Sequence, residues 1–495
     1  MPLTIQPNAP LPGIEHVVVL MLENRSFDNV LGNLYPPSSS FDGIPAGASN
    51  TYRTFLGESH TVTPTSTPPS GKSIYIVPNP DPGESQSDMN QQIYNGGPDA
   101  TMGGFAQSYH DVHRIEGTPG DVMCYFDSNA NNGLGQLPVS AYIARNYAVC
   151  DQWFGSGPVQ TFPNRMFAFC GTPGEFRNSA PINDTDYIFQ GEGYFRILGS
   201  VAETTVFELL DNAAGSGGPD PANWKVYFHD VPLSAISSYV QDAWTAGSSC
   251  VSSFDESDYD PPYGTTFVDD VSNGTLPAFA FIEPRYWSNY SGSGNPSNSN
   301  HPGNDHWETA GLTGDPIDCR NGEALLVEVL ATLLLNPGLF ASTLLVVIYD
   351  EHGGVWDHVA PVPALTPYPD GVANGDVYST TGPRVPAMFA NPSIAANTVY
   401  RPASGSAYSF DHTSIIATLR AQFGLGGPLT ARDGAAPVLE GLIAQDPAPR
   451  PPAELAIPEA VMAAARPARK TPAPRKPIDE HQRMVSAWVR ARAGM

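Results

Sequence analysis

The stretch that most constrains the fold is residues 344–359, LLVVIYDEHGGVWDHV. Its first six residues are apolar and rich in β-branched side chains. An unbroken run of that kind predicts a strand buried on both faces. It ends abruptly in Asp350, Glu351 and His352, then two glycines, then Asp357 and His358. In open α/β sheets, ligands sit beyond the carboxyl ends of the strands. Two adjacent carboxylates buried there cost several kcal/mol unless a cation compensates, as is general for unpaired buried ions. The pattern therefore predicts a metal site, or else a turn whose charges face water.

The same arrangement occurs near the start. Residues 14–22 form an apolar run followed by Glu23 and Asn24, and Ser26 is a fair helix N-cap. One charged and one neutral oxygen donor suit a divalent cation. A third buried strand, 276–283, again ends in an acid, Glu283. Residues 321–335 have the pattern of an amphipathic helix leading into 344–349. Strand, helix, strand in that order predicts a crossover unit and a mostly parallel sheet flanked by helices.

Between these elements, 155–165 (GSGPVQTFPNR) reads as a sharp loop carrying Thr161, with a helix-like segment at 166–170. A hydroxyl at such a bend is placed to approach phosphorus, or simply to cap the helix. Arg165 is a phosphate ligand or a structural ion-pair partner. Residues 36–82 read as a surface excursion and 95–121 as a Gly-rich loop with His110, Asp111 and His113. The segment after 283 delivers His301. His412, at the entry of a helix over 414–423, reads as a hydrogen-bonded core residue.

The chain has 495 residues, with 24 Lys+Arg against 50 Asp+Glu, a net charge of −26. Such a surface repels nucleic acid and anionic membranes, so a phosphate site needs a local cation. The five cysteines show no metal-binding spacing and leave zero, one or two disulfides open. The N-terminus lacks a basic and an apolar segment of signal-peptide type, and no run is long enough to span a bilayer, so localisation is left open. Residues 1–445 read as one elaborated domain. Residues 446–495 read as a Pro/Ala/Arg-rich tail with a short helix near 482–493.

Three segments, ENRSFDN at 23–29, TFPNR at 161–165 and DEHGGVWDHV at 350–359, resemble the bacterial phosphoesterase family of phosphatidylcholine-type phospholipases C and AcpA-type acid phosphatases. IEP at 282–284, His301-Pro302 and DHTS at 411–414 extend the resemblance over residues 13–425. It implies a three-layer, alkaline-phosphatase-like α/β fold with long loop insertions. It places Glu23, Asn24, Thr161, Asp350 and Glu351 on one divalent ion, which is Ca, Mg, Mn or Zn. Thr161 takes the nucleophile's position, His301 and His358 lie near the transferred phosphoryl group, and Arg165, Asn164 and Asp357 bind substrate. The implied reaction is hydrolysis of a phosphoester, a phospholipid head group or a small phosphate ester, through a phospho-threonine. A broad acid phosphatase and a silent binding protein on the same scaffold are the alternatives. The chain departs from the family in substrate-facing loops: a histidine near Asp88 is absent, His-Pro-Pro is His301-Pro302-Gly303, and 95–105 matches loosely.

Overall fold

The computed structural model describes residues 3–174, 176, 198–257, 259, 262–287, 295–303, 316–368, 378–446 and 448–465. Among the described residues ten strands are formed: β1 (His16–Leu22), β2 (Asn50–Arg53), β3 (Ser59–Val62), β4 (Ala148–Cys150), β5 (Trp224–Phe228), β6 (Val251–Ser253), β7 (Phe279–Glu283), β8 (Thr343–Tyr349), β9 (Ala387–Ala390) and β10 (Thr398–Tyr400). Eight make one sheet in the order β10-β4-β9-β8-β1-β7-β5-β6, and β2 pairs with β3 in a separate hairpin. Strands β8, β1, β7, β5 and β6 run parallel; β9 is antiparallel to both β8 and β4. The sheet is the mostly parallel one that the apolar runs predict.

The central pair fixes the site. β1 and β8 are in register over their full length, from His16 opposite Thr343 to Leu22 opposite Tyr349. Every residue of β8 and all of β1 but His16 are buried. Glu23 and Asp350 are the next residue on each strand, so the pairing puts them side by side at the carboxyl edge. Asp350 N extends the ladder by donating to Leu22 O at 3.1 Å. The helix Cys319–Leu335 carries the chain from β7 to β8 across one face, and its N-cap Asp318 accepts from Arg320 N.

The structure refines four expectations. First, the helix expected at 166–170 begins at Thr161 and runs to Cys170 (α5); the other helices used below are α1 (Phe27–Val30), α2 (Gln86–Tyr94), α3 (Phe105–Val112) and α4 (Pro138–Asn146). Pro163 suggested a break, but it falls in the first turn, where backbone N–H groups lack intrahelical acceptors anyway. Second, the Gly-rich 95–121 segment contains α3. Third, the excursion at 36–82 contains the β2–β3 hairpin. Fourth, the region after 446 is not all loose. The helix Glu459–Ala465 buries Val461 and Ala465, and Tyr142 OH donates to Leu455 O at 3.3 Å. The helix expected at 482–493 lies outside the described residues. All five cysteines are buried and free, and no helix among the described residues is long and apolar enough to cross a membrane.

Candidate active site

Asn24 turns the chain sharply out of β1. Its φ is 57°, in the left-handed region that Asn tolerates better than most residues. Its backbone N–H donates to Asp350 Oδ1 at 3.0 Å, which ties the turn to the neighbouring strand end. Its amide Nδ2 donates to Glu351 Oε1 at 3.0 Å and to Glu84 Oε1 at 2.7 Å. Gly353, at φ 61°, passes so close that a Cβ there would collide with the Asn24 carbonyl. The double glycine of the sequence is therefore a steric requirement of this crossing. Gly353 N returns to Glu351 Oε2 at 2.8 Å and fixes that carboxylate.

Helix α5 brings Arg165 to the same place, with Thr161 one turn before it. They are four residues apart, hence on one helix face. Arg165 is buried; its Nε donates to Asp350 Oδ2 at 3.1 Å, and Nη2 lies 3.7 Å from Glu23 Oε1. Neither Nη1 nor Nη2 has a hydrogen-bond partner. Thr161 is the first residue of the helix and half-buried. Asn164, expected among the substrate ligands, is committed to the loop in front of Thr161. Its Nδ2 donates to Val159 O at 2.6 Å and its Oδ1 accepts from Gly157 N at 3.1 Å. His412 is buried and donates from Nε2 to the Asp350 carbonyl at 2.6 Å, while Nδ1 accepts from Trp153 Nε1. It is the core residue that its position suggested.

Two more loops close on the same point. Arg25, next to Asn24 and buried, donates from Nε to Asn300 O at 2.8 Å and from Nη1 to Val77 O at 2.6 Å. Gly303 N donates to Pro78 O, and Glu23 N to Ser299 O. These bonds draw His301 toward Asp81 and Glu84. His301 Nδ1 stands 3.7 Å from Asp81 Oδ1, and Nε2 stands 3.9 Å from Glu84 Oε2. Five carboxylates, of Glu23, Asp81, Glu84, Asp350 and Glu351, thus face the positive groups Arg165 and His301. Burial pushes the Glu23 carboxyl up to about 7, with His301 and Arg165 opposing. Burial and the neighbouring Glu84 raise Glu351 well above the usual carboxylate range. For His301, burial acts downward, but Asp81, Glu84 and Glu23 together hold it at about 10.

The charge and chemistry of these oxygens suit a divalent cation, and the three ligand atoms here that lie within 4.8 Å of one another are those of Asp81, Glu84 and His301. The excess is negative, every donor is a hard oxygen, and Asn24 Oδ1 is buried without a hydrogen-bond partner. Facing two carboxylates, the Asn24 amide presents Nδ2; a half-turn would present Oδ1 to a metal.

The model of the Phosphoesterase family matches residues 14–426. The chain belongs to this family. It is 30% identical over 459 residues to "Non-specific phospholipase C4" of Arabidopsis thaliana, covering 88% of this chain and 72% of that protein. "Phospholipase C B" of Mycobacterium tuberculosis is 26% identical over 468 residues, 85% of this chain and 76% of the relative. "Non-hemolytic phospholipase C" of Burkholderia pseudomallei is 25% identical over 455 residues, 83% of this chain and 55% of the relative. The chain is thus a phosphoester hydrolase.

In this phosphoesterase, Asp357 and His358 join a separate ion cluster. Arg384 donates from Nε to Asp357 Oδ1 and from Nη2 to Asp28 Oδ1, each at 2.9 Å. His358 pairs through Nδ1 with Asp28 Oδ2 at 2.7 Å and through Nε2 with Asp42 Oδ1 at 3.2 Å. Both ring nitrogens are occupied by carboxylates, and Arg384 offsets one of the two buried negative charges of Asp28 and Asp357. Asp81 and Glu84 lie beside His301 in the candidate site, and the sequence reading did not single them out. Glu84 directly precedes Ser85, which with Asp88 forms the capping box of α2. That Ser-x-x-Asp pattern, after a run of prolines and acids, was the available signal.

Proposed function

We propose that this phosphoesterase is a metal-dependent phospholipase C-like enzyme that acts through Thr161. The observation that carries the reading is the pair of unbonded, buried Arg165 Nη atoms beside the carboxylate cluster, one helical turn from the Thr161 hydroxyl. Buried guanidinium donors left unpaired are costly, and two of them match the geometry of a phosphoryl group.

Glu23, Asn24, Asp350 and Glu351 are the residues that would hold the cation, with the Thr161 hydroxyl completing the set. When bound, such a cation neutralises phosphoryl oxygens as a Lewis acid and lowers the pKa of a nearby hydroxyl. Arg165 holds the phosphoryl oxygens through Nη1 and Nη2 and keeps Asp350 in place through Nε. Thr161 Oγ1 gives its proton to solvent water and bonds to phosphorus as the bond from phosphorus to the leaving oxygen breaks. His301, kept protonated at neutral pH by Asp81 and Glu84, gives its proton to that oxygen. Neutral His301 then takes a proton from water, whose oxygen bonds to phosphorus as the bond to Thr161 Oγ1 breaks, and Thr161 Oγ1 regains a proton from solvent. Asn164 contributes indirectly, by fixing the loop that presents Thr161.

The test uses nitrophenyl phosphocholine and nitrophenyl phosphate with the purified chain and added Ca, Mg, Mn or Zn. Thr161→Ala is expected to lower kcat by at least about a thousandfold, as loss of a nucleophile does, while Thr161→Ser retains measurable turnover. Hydrolysis undiminished in Thr161→Ala removes the mechanism. Preference for the monoester favours an acid phosphatase on the same site.

A further inference from the structure

Exposed large apolar residues are concentrated at one end of one module. Phe55 is 88% exposed, Leu56 84%, Ile115 96% and Val112 46%; only Leu335 among the described residues lies elsewhere. Phe55 and Leu56 form the tip of the β2–β3 hairpin, and Val112 and Ile115 lie at and just past the end of α3. Strand β2 and helix α3 advance side by side. Asn50 Oδ1 accepts from Phe105 N at the start of both elements, and Tyr52 packs on His110 near the end of both, ring centroids 5.2 Å apart. Both apolar pairs therefore emerge in the same direction.

That end of the module is also a wall of the active site. Tyr109 OH donates to Pro80 O at 2.8 Å, and His113 Nε2 bonds Asp81 O. The Asp81 side chain faces His301. Ile115 is two residues beyond His113, so it lies within about 7 Å of chain from the residue that touches the site wall.

We propose that Phe55, Leu56, Val112 and Ile115 form an insertion surface that seats the enzyme on a zwitterionic phosphatidylcholine bilayer with the site facing the lipid head groups. The surface is convex, its side chains standing clear of the body, which suits insertion between acyl chains better than a groove for a peptide. The neighbouring charges are mixed, Arg53 and Arg114 against Glu58, Asp111 and Glu116. Phosphate and choline of one zwitterionic head group can each find an opposite charge there. The overall charge of −26 disfavours an anionic lipid surface. The inference rests on the phospholipase reading for its choice of substrate surface.

The test pairs binding with two substrates. Wild-type chain is expected to sediment with phosphatidylcholine vesicles, and Leu56→Trp to show a blue-shifted emission when they are added. The double variant Phe55→Ser, Leu56→Ser is expected to lose at least about tenfold in vesicle affinity, the effect of exposing one buried apolar side chain. Hydrolysis of vesicle lipid falls in parallel, while hydrolysis of water-soluble nitrophenyl phosphocholine stays within about twofold, as for exposed substitutions away from a site. Vesicle binding unaffected by the double variant overturns the inference, as does a wild-type dimer that the variant dissociates. Wild-type chain that cleaves the soluble ester but ignores vesicles removes this surface and leaves the proposed function standing. Chain that binds vesicles through the patch yet cleaves neither substrate does the reverse.

Discussion

Asn24 combines three properties that its position requires: tolerance of a left-handed backbone, a donor for Glu84 and Glu351, and an amide oxygen in reserve. Gly shares the first and lacks the others. Asn24→Gly is therefore expected to keep the fold within about 1 kcal/mol in urea unfolding. It should also weaken divalent-cation binding at least about tenfold in calorimetric titration, the scale of one lost ligand or its support. A Gly variant with unchanged affinity would place the cation elsewhere. At this scale the sequence was legible where a carboxylate ended an apolar run, as at Glu23 and Asp350. It was opaque at Asp81 and Glu84, which sit in a proline-rich loop with no periodic frame. They reach the site through contacts distant in sequence, among them Arg25, which ties the 77 and 300 segments to the end of β1.

Among the elements, α4 shows how a distant helix secures another. Glu323, buried on the helix Cys319–Leu335, accepts backbone N–H groups of Val139 and Ser140 in the first turn of α4. These are donors with no intrahelical partner, and a negative charge there also opposes the helix dipole. Burial nevertheless pushes the Glu323 carboxyl from 4.5 up to about 7, the bonds from Ser140 and Val139 opposing. The folded chain then holds this proton more tightly than the unfolded one. The resulting stabilisation is full below pH 4.5 and is lost as pH rises through about 7. Wild-type Tm is expected to fall between pH 5 and 8 more steeply than that of Glu323→Gln, with calorimetry as the readout. Equal slopes would mean the carboxyl is charged throughout. Local pattern could not reveal this contact, since the partners are more than 180 residues apart. Likewise α5 was read short because Pro163 looks like a stop when its place in the first turn is unknown.

For the whole molecule, the carboxylate cluster is a source of self-repulsion that a bound cation relieves. Chelation with EDTA is expected to lower Tm by at least about 2 °C relative to chain saturated with its metal, since ligand at a hundredfold excess over Kd contributes about 2.7 kcal/mol. A Tm indifferent to chelator and to every added divalent ion would argue against a cation at this place. The sheet itself was legible at this scale. Runs near 14–22, 276–283 and 344–349 lack alternation because both their faces are covered, and the intervening helical segment set their direction. The edge strand β10 and its neighbour β4 were harder to read, being only three residues long.

The seven-residue match between β1 and β8 joins the first strand of the chain to one that begins more than 300 residues later. During synthesis, Glu23 and Asn24 leave the ribosome long before their partners exist. Until β8 pairs with it, β1 carries an open strand edge and the carboxylate cluster is incomplete. A prematurely terminated chain that stops short of β8 therefore lacks Asp350 and Glu351 of the carboxylate cluster and the strand that aligns them.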